Sequence, residues 1–63
     1  MPLIQVQLME GRTDEQCAAL IEALTEAART SIGAPRESAR VTLIEIPKTH
    51  FGIAGKTAKA LGR

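Results

Sequence analysis

The segment ARVTLIEI, residues 39–46, is largely apolar on both sides when it is read as a strand, and this restricts the chain more than any other feature. Val41 and Leu43 share one face; Thr42, Ile44 and Ile46 share the other. The chain has 63 residues and room for one long helix, which can cover only one of those faces. A lone domain of this size buries about 60% of its unfolded surface, and disulfides, a metal or oligomerisation usually supply the missing stability. Cys17 is the only cysteine, so no disulfide can form within the chain. Cys17 and the single His50 lie too far apart in sequence for a structural zinc site. Oligomerisation is left, and the uncovered face is expected to meet other subunits.

The remaining elements follow from periodicity and capping. Residues 3–8, LIQVQL, alternate: Ile4, Val6 and Leu8 point one way, and Leu3, Gln5 and Gln7 the other. Thr13 followed by Gln16 fits a capping box, with Asp14 and Glu15 in the first helical turn. The helix is predicted to run to about Ile32, with Cys17, Leu20, Ile21, Leu24, Ala28 and Ile32 forming one apolar stripe. Gly33 suits the position just past its end, and Pro35 prevents continuation. A connection of this length containing a helix suits a β-α-β crossover between parallel strands. The tail, PKTHFGIAGKTAKALGR, reads as a turn, a short hairpin-like segment from Phe51 to Ala54 and a basic end. The fold class is α/β, and residues 1–63 are expected to form a single domain.

Charge and composition narrow the function. The net charge is +1 and Phe51 is the only aromatic residue, which argues against a nucleic-acid partner. No stretch is apolar enough to span a membrane, and the N-terminus has no signal-peptide pattern, so a cytoplasmic location is expected. Ser31 and Ser38 have no local base signature, His50 reads as a turn residue, and Cys17 reads as a small packing residue on the helix stripe. Pro2 has two readings. Proline is tolerated as the first residue of a strand, where its missing N–H is not needed. If Met1 is removed, however, the Pro2 nitrogen becomes a free secondary amine able to exchange a proton. Arg12 lies beyond the C-terminal end of the first strand and Arg40 at the N-terminal end of the second. They fall at opposite ends of one protomer's sheet, and a single site using both needs two subunits.

The chain resembles the 4-oxalocrotonate tautomerase family of the tautomerase superfamily. The resemblance rests on Pro2 after the start Met, LMEGRTDEQ (Leu8 to Gln16), ESARVTLIEI (Glu37 to Ile46) and HFGIAG (His50 to Gly55). It covers essentially the whole chain and implies a β-α-β subunit assembled into a hexamer, a trimer of dimers, homo-oligomeric or mixed with a paralogous subunit. It implies that Pro2, as the mature N-terminus, is the general base and then general acid of an enol–keto tautomerase. The substrate implied is a 2-hydroxymuconate-like dicarboxylate, and no cofactor or metal is called for. By the same resemblance Arg12 holds one carboxylate. Arg40, from a neighbouring subunit, holds the other carboxylate with the adjacent carbonyl oxygen. Phe51 forms an apolar wall, and Met9 contributes its backbone in place of the expected leucine.

Elementary electrostatics suits these roles. A base works best with a pKa near the working pH, and nearby cations and apolar walls lower an amine's pKa towards neutrality. Related hydratases and dehalogenases use a carboxylate to activate water, and the corresponding position here is Ile53, which favours isomerisation. The alternative from another class is a non-catalytic or structural subunit, which a retained Met1 would produce by leaving the Pro2 nitrogen an amide.

Overall fold

The computed structural model describes all 63 residues. Strand β1 spans Leu3–Met9, helix α1 Asp14–Ile32 and strand β2 Arg40–Ile46. A short hairpin follows, with β3 at Gly52–Ile53 and β4 at Lys56–Thr57. Single helical turns at Arg36–Ser38 and Lys48–His50 precede β2 and β3.

β1 and β2 pair in parallel, with Leu3 opposite Arg40 and Met9 opposite Ile46. The ladder continues past both ends of β1: the Arg40 N–H donates to the Pro2 carbonyl, and the Glu10 N–H to that of Ile46, each at 3.0 Å. The helix begins where its cap predicts. The Gln16 amide donates to Thr13 Oγ1 at 3.1 Å, and the Thr13 amide donates to Gln16 Oε1 at 3.0 Å. It ends at Gly33, which adopts a left-handed conformation, and Pro35 follows two residues later.

The face towards the helix carries Ile4, Val6, Leu8, Val41 and Leu43, all half-buried. Cys17, Leu20 and Leu24 are half-buried and Ala28 is buried, as the apolar stripe predicts. The stripe fails at Ile21 and Ile32, which are exposed, Ile32 to 69%. The reason is rotational. Apolar residues at four-residue steps drift by about 40° per step, so a stripe running 20, 24, 28, 32 turns away from the sheet by its last member. Ile21 lies about 100° from Leu20 and falls on the flank.

The opposite face of the sheet is open. Leu3 is 74% exposed, and Gln5, Gln7, Thr42 and Ile44 beside it are exposed as well. Only Ala28, Ala34 and Ala58 are buried, and no large side chain is fully enclosed. The protomer is a slab of 42 × 24 × 14 Å. Its accessible surface is 4670 Å², whereas a compact monomer of its mass exposes about 3,900 Å². Its radius of gyration is 14.7 Å, against about 11 Å for a compact domain of this length. A chain of this shape has only a small core of its own.

Two local features tie down the connections. Arg36 bonds Glu22 at 2.6 Å and Glu26 at 2.8 Å, holding the turn before β2 against the helix. Glu26 also accepts from Arg29, and this hydrogen bond, more than any other influence, holds its carboxyl below the usual range. The hairpin turns through Ala54 and Gly55, both with positive φ, as primed two-residue turns require. Ala54 at φ 52° is the one non-glycine residue of the chain in that region. A side chain there costs about 1 kcal/mol. Ala54→Gly is therefore expected to raise the urea midpoint at fixed protein concentration, by the equivalent of a few tenths to about 1 kcal/mol once glycine's extra unfolded-state entropy is subtracted. An unchanged or lower midpoint would contradict it.

Candidate active site

A cavity of about 560 Å³ opens beyond the C-terminal ends of the parallel strands, lined chiefly by Met9, Arg12, Lys48, Phe51, Ile53 and Arg63. Its walls come from three turns. β1 delivers Met9 and Glu10, and Gly11 follows at φ 118°, a conformation closed to most side chains, so the chain breaks from the strand before Arg12. Arg12 Nη1 donates to the Met9 carbonyl at 3.1 Å, which folds the guanidinium over the strand end and leaves its remaining N–H groups free.

The second wall comes after β2. Pro47 starts the turn Lys48–His50, in which the His50 amide donates to the Pro47 carbonyl at 2.8 Å. The Lys48 amide donates to Glu10 Oε1 at 3.2 Å, joining the ends of the two strands across 38 positions of chain. This turn brings Phe51, which is 41% exposed, to the cavity.

The third wall is built from the hairpin and the C-terminal tail. The Ala58 amide donates to the Phe51 carbonyl at 2.8 Å, and Ala58, 1% exposed, is the most buried residue of the chain. Lys59 N–H reaches the Lys48 carbonyl at 3.2 Å, which fastens the tail to the turn before Phe51.

Of the residues singled out from the sequence, Met9, Arg12 and Phe51 meet in this cavity, with Ile53 beside them. Pro2 and Arg40 do not. They lie together at the other end of the strand pair, about 23 Å away at roughly 3.3 Å per residue. Arg40 stands level with Leu3 on the open face, and its guanidinium donates to the carbonyls of Glu37 at 2.7 Å and Ala39 at 3.2 Å. His50 is exposed and lines no part of the cavity, whereas Cys17 is half-buried on the helix. No group of three or more His, Cys, Asp or Glu side chains is placed to hold a metal ion, and no helix is long and apolar enough to cross a membrane.

The electrostatics of the cavity are lopsided. The ion pairs of the protomer join Arg29 to Glu26 and Arg36 to Glu22 and Glu26. Arg12, Lys48, Arg63 and Arg40 have no carboxylate partner. Glu10 is the only acidic side chain in the cavity, and the Lys48 backbone amide occupies one of its oxygens. Sequence reasoning missed Lys48, Glu10 and Arg63. The tail showed itself as basic, but only its path in space shows that it returns to Arg12.

The fold agrees with what known proteins show. Residues 2–61 match the family described as tautomerase enzymes, and the chain belongs to that family. It is 51% identical to 2-hydroxymuconate tautomerase of Stutzerimonas stutzeri over 63 residues, 100% of each chain. A solved structure of the 4-oxalocrotonate tautomerase isozymes from Methylibium petroleiphilum superposes with a TM-score of 0.91 at 50% identity, covering 98% of this chain and 100% of that one. The chain is thus an isomerase of the 4-oxalocrotonate tautomerase type. A heterohexameric 4-oxalocrotonate tautomerase from Chloroflexus aurantiacus J-10-fl shares the fold at a TM-score of 0.89 and 34% identity, covering 97% of this chain and 98% of that one.

Proposed function

We propose that the protein ketonises a 2-hydroxymuconate-like unsaturated dicarboxylate to the 2-oxo-enedioate, with the amine of Pro2 as the proton carrier. The observation that carries this reading is the pair of carboxylate-free arginines at opposite ends of one strand pair. They suit a substrate with an anionic group at each end, and bidentate pairing with carboxylates is the arginine's strength.

In the proposed reaction the Pro2 nitrogen removes the proton of the enol hydroxyl. The O–H bond breaks, its electron pair forms the carbonyl, and the conjugated double bonds shift along the chain. The proton then passes from the prolinium nitrogen to the distant carbon, where a C–H bond forms, and the amine is free again. Arg40 steadies the oxygen that carries the developing charge, and Arg12 holds the remote carboxylate and draws electron density towards it. Phe51 and Ile53 exclude water from that end, and both cations hold the amine's pKa down. Ile53, where a hydratase needs a carboxylate, supports proton transfer over water addition. Pro2 is pre-positioned, because the Arg40 amide holds the Pro2 carbonyl at 3.0 Å while the nitrogen extends beyond the ladder.

The site requires assembly. Pro2 of one subunit completes the Met9–Arg12–Phe51 cavity of another, and Arg40 reaches a neighbour across the open face. The slab shape, the small core and exposed Leu3 and Ile44 support this reading. The assembly proposed is a hexamer built as a trimer of dimers, and its location is cytoplasmic.

The test is the ultraviolet decay of 2-hydroxymuconate on protein whose intact mass shows Met1 removed. Rapid turnover is expected. No acceleration over buffer by a chain with a free Pro2 would overturn the proposal in favour of a non-catalytic subunit.

A further inference from the structure

The cavity holds two more cations than the reaction calls for. Lys48 and Arg63 line it with Arg12, and none of the three is paired with a carboxylate. Both are held there by the backbone. Lys48 is fixed from two sides: its amide donates to Glu10 Oε1 at 3.2 Å, and its carbonyl accepts from Lys59 N–H at 3.2 Å. Arg63 is brought back by a folded tail. The Leu61 amide donates to the Thr57 carbonyl at 3.1 Å and the Gly62 amide to that of Lys59 at 3.1 Å. Gly62, at φ 73°, then reverses the chain, and the Arg63 amide donates to the Ala58 carbonyl at 2.9 Å. Ala58 is itself locked under the cavity through Phe51.

Three unpaired cations around a concave site repel one another, and the arrangement is unfavourable until an anion enters. The single acidic side chain, Glu10, offsets one of them, and the terminal carboxylate of Arg63 offsets a second. The remaining excess of positive charge matches a carboxylate, with hydrogen-bond donors left over to hold both of its oxygens. The apolar walls supplied by Met9, Phe51 and Ile53 lower the local dielectric and strengthen that match.

We infer that Lys48 and Arg63 are specificity-determining residues: with Arg12 they form a three-cation subsite that selects ligands bearing a carboxylate at the end remote from the reacting oxygen. This rests on the assignment of that cavity to the substrate's remote end. Arg12 alone can pair with one carboxylate. Lys48 and Arg63 raise the affinity for it and set the preference for a dianion over a monoanion.

The test is equilibrium titration of the assembled full chain with trans,trans-muconate, a dianion that the enzyme has no enol proton to move. Lys48→Gln and Arg63→Gln are each expected to weaken muconate binding about tenfold or more, the scale of one lost charge-assisted contact. Lys48→Arg and Arg63→Lys, which keep the charge, are expected to stay within about twofold of the parent. Sedimentation of each variant confirms an unchanged assembly. Parent-like affinity in both glutamine variants would overturn the inference. So would equal losses in the charge-keeping variants, which would make shape rather than charge the cause, and so would failure of the parent chain to bind muconate. Because muconate binding is read without turnover, its outcome is separate from that of the 2-hydroxymuconate assay. A chain that ketonises 2-hydroxymuconate but binds muconate equally well in all variants would retain the tautomerase reading and lose this one.

Discussion

Pro2→Ala is expected to lower kcat/KM for 2-hydroxymuconate by about 10²- to 10⁴-fold, the range over which a positioned acid–base group contributes. The substitution leaves an N-terminal amine, so the loss measures what the ring supplies. Proline makes the nitrogen a secondary amine, and its ring fixes the torsion that aims the lone pair. The anchor of that residue is its carbonyl, bound by the Arg40 amide, and alanine keeps it. The variant should therefore fold and assemble as the parent does, and sedimentation together with circular dichroism separates a chemical effect from a structural one. A variant retaining more than about a tenth of the parent rate would show that the proline ring and its secondary amine are not what the reaction requires.

The second large effect concerns the division of the site. Pro2 and Arg12 lie about 23 Å apart in one protomer, beyond the reach of any dicarboxylate of six carbons. Neither Pro2→Ala nor Arg12→Ala should be active alone. Unfolded together in equal amounts and refolded, they are expected to recover activity. In a randomly mixed assembly about a quarter of the sites pair an intact Pro2 with an intact Arg12 from another subunit. Measured as kcat per site, the mixture should approach a quarter of the parent value from two components that are each nearly silent. If Pro2 and Arg12 of one chain served the same site, every site in the mixture would carry one defect and no activity would return. Arg40 is intact in both components, so the experiment isolates the Pro2–Arg12 relation. Lasting silence, with assembly confirmed by sedimentation, would sink the shared-site arrangement and leave the fold untouched.

The open face explains why a chain this short carries so few buried groups. Burial at about 25 cal/mol per Å² is the main favourable term in folding, and here the protomer leaves Leu3 and Ile44 in solvent. In the assembly proposed above, the contacts that hide Leu3 and Ile44 would also carry Arg40 to its neighbour, which would join stability to catalysis. Assembly and activity should therefore fail together on dilution.

Much of the fold was legible in the residues. The capping box at Thr13 and Gln16, the alternation of Ile4, Val6 and Leu8, and the helix stop at Gly33 each depend on neighbours a few positions away. Such signals survive in sequence because hydrogen-bond geometry and side-chain period are local properties. The parallel pairing was legible too, since a helix-containing connection of this length leaves few other options. The opposed placement of Arg12 and Arg40 follows from that pairing alone.

Other features were decided only in three dimensions. Ile21 and Ile32 share the period of the stripe, yet they stand off the sheet, because the helix rotates past a flat surface of finite width. The hairpin extends to Thr57, past the segment from Phe51 to Ala54 that the apolar run marks, and it turns at Ala54 and Gly55, whose positive φ the pattern of side chains does not announce. Above all, Lys48 and Arg63 join Arg12 through contacts that no periodicity announces: Glu10 to the Lys48 amide, Lys59 to the Lys48 carbonyl, and a reversal at Gly62. The residues alone announce the strands and the long helix and show that one sheet face stays open, because those outcomes rest on short-range geometry and on the balance of polar and apolar residues. Which cations share a cavity was left to the tertiary structure, because that depends on the path of three irregular turns, each set by single torsions and long-range hydrogen bonds.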